Sequence, residues 1–78
     1  MHRERGFSFR IYPDDHGPPH VHVWKAGVHV RILLGDDSDP PCLWTVHGMG
    51  AKNARRAIAL VERHHTRLLN GWKRIHGT

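Results

Sequence analysis

The chain has 78 residues and one cysteine, so it bounds one small domain, residues 1–78, with a modest core and no internal disulfide. Twelve Lys and Arg against seven Asp and Glu give a formal charge of +5, which suits an anionic partner such as nucleic acid or an acidic protein. No run reaches membrane-spanning length, the charged residues 1–5 lead into no apolar leader, and nothing resembles a phosphate loop, a Ser-His-Asp arrangement or a CxxC pair. The expectation is a cytoplasmic protein with no membrane partner.

Residues 7–12 alternate. Phe7, Phe9 and Ile11 face one way and Ser8, Arg10 and Tyr12 the other, as in a half-buried strand. Pro13 ends it, and the 14–19 stretch with its Pro18-Pro19 pair is a loop. Residues 20–25 and 28–34 resume alternation around an Ala26-Gly27 turn. A two-residue hairpin there pairs Trp24 with His29 and His22 with Arg31. Val21, Val23, Val28, Val30 and Ile32 then share the core face, and His20, His22, Trp24, His29, Arg31 and Leu33 the other. An acidic loop carrying Asp36, Asp37 and Asp39 follows. Residues 42–47 read as a fourth strand, with Trp44 and Val46 toward the core and Thr45 and His47 opposite.

From residue 51 to 76 the period becomes helical. Ala54, Ala57, Ile58, Val61, His65, Leu68, Trp72 and Ile75 form one stripe, and Gly77 is a stop signal. A straight helix of that length spans roughly 35–40 Å, against roughly 20 Å for a six-residue strand, so it must overshoot the sheet. The predicted fold is α+β: a four-stranded antiparallel meander with one long C-terminal helix packed on one face.

The 12–23 stretch concentrates two carboxylates, three histidines and three prolines. In a meander its loop, the acidic loop and the helix end share one edge of the sheet. That gathers Asp14, Asp15, His16 and His20 with Asp36, Asp37, Asp39 and His76, where helix carbonyls add negative potential. A cation suits such a place. His20 and His22, two apart on a strand, can share a divalent metal such as zinc with His16 bent back from the loop and an Asp or His76 as a fourth ligand. The same groups can instead serve local structure, the carboxylates bonding loop N–H groups and the histidines, or acid–base chemistry.

The open sheet face carries Arg10, Tyr12, His20, His22, Trp24, His29 and Arg31, groups that can stack bases and hold phosphates. A metal-independent ribonuclease would use His20 or His22 as base, another histidine as acid and Arg31 to steady the phosphorane. An exposed Trp24 asks for a cover, from a partner protein or a second copy of the chain. His65 and Cys42 read as structural.

The stretches Gly6-Phe7-Ser8-Phe9-Arg10-Ile11-Tyr12, Asp14-Asp15-His16-Gly17-Pro18-Pro19-His20-Val21-His22-Val23 and Trp72-Lys73-Arg74-Ile75-His76-Gly77, with the Ala57–Leu60–Val61 run, resemble a prokaryotic family catalogued as a domain of unknown function, four-one-six-zero. The resemblance implies a cytoplasmic single-domain protein encoded beside another small domain, in pairs of toxin–antitoxin character. It brings no assigned catalytic residues. The leading expectation is therefore one component of such a pair, acting by binding a cognate small protein, with nucleic-acid contact. A histidine-dependent ribonuclease and a metal-binding domain built on His16, His20 and His22 are the alternatives.

Overall fold

Two tight turns with positive φ at both central residues set the strand pairing. Ala26 (φ 51°) and Gly27 (φ 83°) join β3 (His20–Lys25) to β4 (Val28–Leu33). Arg5 (φ 53°) and Gly6 (φ 83°) join a two-residue β1 (Arg3–Glu4) to β2 (Phe7–Arg10). Such mirror-image turns twist in the sense that hairpin strands require. The computed structural model describes residues 3–36 and 38–77. Asp37, which the sequence places in the acidic loop, lies outside the described residues.

With β5 (Cys42–His47) the sheet has five antiparallel strands in the order β1-β2-β3-β4-β5. The expected four strands therefore become five. The reason is the Arg5-Gly6 turn, since an arginine in the left-handed region is an uncommon turn former that periodicity does not flag. The β3–β4 register is as predicted: Trp24 opposes His29 and His22 opposes Arg31. Val21, Val23, Val30 and Ile32 are buried, with Phe7, Phe9 and Ile11 beside them.

Between β4 and β5 the register shifts. Arg31 opposes Thr45, but Ile32 opposes Leu43, so Trp44 is the extra residue of a β-bulge. The expectation that Trp44 and Val46 join the core is corrected here. The Trp44 ring lies under the Arg31 guanidinium at 4.7 Å and 5.0 Å from the His20 ring, both outer-face residues. Val46 stands opposite buried Val30 but, on the edge strand, stays 47% exposed.

The single long helix is also corrected. α1 (Ala51–Arg63) and α2 (His65–His76) meet at His64, whose φ of −111° leaves the helical region. A straight helix over residues 51–76 would run about 39 Å at 1.5 Å per residue, longer than the molecule's largest extent of 32 Å. The break resolves the overshoot. Glu4 of β1 marks it, accepting from His64 Nε2 at 2.9 Å and Arg63 Nη1 at 3.2 Å.

Ala54, Ala57, Leu60 and Val61 of α1 and Leu68, Leu69 and Trp72 of α2 are buried against the sheet's apolar side. Ile75, predicted on the stripe, is instead 38% exposed, being near the end of the second segment. Gly77 stops α2 in the left-handed conformation, with its N–H donating to the Lys73 carbonyl at 2.7 Å. No helix among the described residues is long and apolar enough to cross a membrane.

Candidate functional site

The loop before β3 folds back on the strand it precedes. The Asp15 N–H donates to the Tyr12 carbonyl at 3.1 Å, closing a turn over residues 12–15. Gly17 at φ 85° reverses the chain again, and the Pro19 carbonyl is anchored by the Leu34 N–H at 2.8 Å. The Asp15 carboxylate thereby comes to the two histidines that open β3. Its Oδ2 lies 3.0 Å from His22 Nε2 and 3.2 Å from His20 Nε2.

Donor atoms of Asp15, His20 and His22 all lie within 4.8 Å of one another. They are the one His/Cys/Asp/Glu group with metal-ligand proximity among the described residues. The sequence placed His16 in this set. The structure puts Asp15 there instead, because the turn directs residue 15 back onto β3 while Asp14 and His16 remain exposed.

Among the described residues His20 is the one buried polar residue, only 1% exposed. Its ring lies 5.2 Å from Trp72 of α2, 5.0 Å from Trp44 of β5 and 5.2 Å from His22. Its Nδ1 donates to the Pro18 carbonyl at 2.9 Å, and its Nε2 makes no hydrogen bond. Although Nε2 is close to Asp15, the approach lacks hydrogen-bond alignment. The two walls Trp44 and Trp72 were absent from the predicted site. A bulge and a helix break bring them, and neither leaves a mark in the periodicity.

A ladder of rings extends from this cluster across the outer face. Tyr12 meets His22 edge-on at 4.7 Å, His22 stacks toward His29 at 5.8 Å, and His29 is sandwiched between Trp24 at 4.2 Å and His47 at 4.3 Å. Trp24 is therefore half-covered by its own neighbours. Arg31 Nε donates to Thr45 Oγ1 at 2.8 Å, and the same hydroxyl is hydrogen-bonded to His47 Nε2 at 3.0 Å. Burial lowers the His22 pKa, against the opposing effect of its hydrogen bond to the Asp15 carboxylate. Burial also lowers that of His29, helped by the neighbouring His47, His22 and Arg31. Both shifts favour the neutral ring, the form that stacks and ligates.

The other predicted residues scatter. Arg10 opposes His22 in the register and is exposed. His76 does not join the cluster. It stacks on Trp72 at 3.8 Å and donates from Nδ1 to the Trp72 carbonyl, touching the site through that indole. Asp36 turns its carboxylate onto its own loop, accepting from the Ser38 N–H, the Ser38 hydroxyl and the Asp39 N–H. His65 donates to the Leu34 carbonyl, as a structural histidine should. Cys42, read as structural, is exposed at the start of the edge strand. His20 is sealed from solvent, while His22, His29 and His47 line the outer face. His22 and Arg31 face each other across β3 and β4.

Two further surfaces stand out. β5 closes the sheet as an unpaired edge carrying Leu43, Trp44 and Val46 at 36%, 40% and 47% exposure. A groove of about 500 Å³ lies between α1 and the start of the sheet, lined by Arg5, Lys25, Arg56 and Arg63 around Phe7 and Leu60.

Compared with known proteins, residues 6–73 match a family described as Domain of unknown function (DUF4160). No curated protein and no solved structure matches the chain.

Proposed function

The chain belongs to the DUF4160 family, and from that premise and its open edge we propose that it is one component of a toxin–antitoxin-like pair, binding a cognate small protein along β5. The observation that carries this reading is the edge strand. Cys42–His47 offers a row of unpaired backbone groups over six residues with no lysine, no proline and no acid to discourage pairing. Three large apolar side chains stand exposed along it. Edges of this kind are ordinarily shielded, and a strand donated by a partner satisfies both the backbone and the apolar groups.

The test is the variant carrying Leu43→Lys and Val46→Lys together. Both sites are already exposed, so the monomer should stay folded, within about 0.5 kcal/mol per site. Mixed with the protein encoded beside it, the wild-type chain should form a 1:1 complex by size-exclusion light scattering, and the variant should lose it. A complex of equal affinity in the variant sinks the reading. A homodimer of the wild type that the variant abolishes would assign the edge to a second copy and overturn the cognate partner.

A further inference from the structure

We infer that Asp15, His20 and His22 bind a divalent cation of the zinc class, as three ligands of a site that leaves a coordination position open. His20 is the most buried of the three. The Pro18 carbonyl can only accept, so His20 Nδ1 carries the proton in the 2.9 Å bond between them. The neutral ring then has its lone pair on Nε2. That atom is buried, has no hydrogen bond, and lies 3.2 Å from a carboxylate oxygen of Asp15. A lone pair facing a carboxylate is repulsive unless positive charge sits between them. Either a second proton or a metal ion supplies it.

Three features favour the metal. First, Nε2 is closed off from solvent among Trp44, Trp72 and His22, so no water supplies the missing partner. Second, a single oxygen, Asp15 Oδ2, faces two imidazole nitrogens at 3.0 and 3.2 Å. Ligands held about 2.0–2.1 Å from a tetrahedral zinc are separated from one another by about 3.3 Å, which the two Asp15–histidine distances already match, while the two imidazoles, within 4.8 Å of each other, have to close in on the ion. Third, the His20 Nδ1–carbonyl bond is the outer contact that ordinarily fixes the tautomer of a metal-bound imidazole. The scaffold is preorganised as well: β3 carries two ligands, and an anchored loop with consecutive prolines carries the third.

Two histidines and one carboxylate suit zinc or ferrous iron and leave room for water or an exchangeable ligand. That room lies on the side of Asp15, the most exposed of the three at 20%. His16 takes no part. This inference stands apart from the proposed pairing along β5, since it rests on different atoms.

The experiment uses the full chain purified without a histidine tag. Zinc should bind at one equivalent by isothermal titration, raise the melting temperature, and be replaceable by Co²⁺ with the intense visible absorption of a tetrahedral site. Asp15→Asn and His22→Gln should each weaken binding by more than about tenfold, since even the outer partners of metal ligands are worth 10–100-fold. His16→Ala should bind as the wild type does. Absence of uptake by the wild type overturns the inference. So does uptake that survives both ligand substitutions, or that His16→Ala abolishes. A further measurement needs no variant: with excess zinc, long-range ¹⁵N–¹H spectra should show His20 protonated on Nδ1 alone. A ring protonated on both nitrogens under those conditions would also overturn it.

Discussion

At the scale of the residue, this protein shows how much a side chain's role depends on what its neighbour can donate. His20 and His22 carry identical rings two positions apart, yet one is fixed by a carbonyl and stripped of water while the other lies at the head of a ladder of stacked rings. Asp36 gives the converse case, a carboxylate that serves only its own loop. Bonds from Ser38 and Asp39 stabilise its charged form and hold its pKa below the usual aspartate value. The sign follows directly. A carboxyl whose folded pKa is depressed adds stability that is fully present above the unfolded value and is lost as pH falls through the folded one. An NMR titration should place the Asp36 carboxyl midpoint below that of a free aspartate, and Asp36→Ala should remove this acid-range dependence. A midpoint at or above the ordinary value would contradict the geometry of the loop. From sequence, Asp36 was read as facing the histidine cluster. Proximity of loops along one edge was legible, but not the direction of a carboxylate, which three local hydrogen bonds decide.

At the scale of the element, the turns carry the stress. Ala26 sits at φ 51°, where its Cβ crowds the following carbonyl, at a cost of about 1–2 kcal/mol. Ala26→Asn, a residue that tolerates this conformation, should raise stability by about 0.5–1 kcal/mol in chemical denaturation. Gly27→Ala should lower it by about 1 kcal/mol. A Cβ at Gly27 would meet nothing within 4 Å, so the loss would come from the backbone at φ 83° alone. A Gly27→Ala variant as stable as the parent would mean the turn adopts another conformation. The β3–β4 hairpin itself was legible because both strands alternate and only one register keeps every valine inside. The β1–β2 hairpin was not, because β1 is two residues long and its turn uses an arginine.

For the whole molecule the governing fact is its small core. Among the described residues sixteen apolar ones form one cluster, drawn from β2, β3, β4 and both helices, with contributions from the connecting segments. β5 adds none. Phe9 is 1% exposed at the centre, and Phe9→Ala should cost about 3–5 kcal/mol, a large part of the about 5–15 kcal/mol that stabilises a typical domain. Val46→Ser, on the edge strand, should change stability by no more than about 0.5 kcal/mol. Urea midpoints for the two variants check the contrast. Equal losses would mean that β5 packs into the core after all. The division matters for function, because a strand that contributes little to the core is free to serve as an interface.

The sequence alone determined the class of fold, the face that β2, β3 and β4 bury, the central hairpin register and the placement of His20 and His22 on β3. These follow from local periodicity, which reports the side of an element on which each residue lies. Only the tertiary structure decided that Trp44 bulges outward, that the helix breaks at His64, and that Asp15 rather than His16 meets the two imidazoles. Each depends on backbone torsions and on contacts between distant positions, such as Glu4 with His64, to which a pattern of alternating residues is blind.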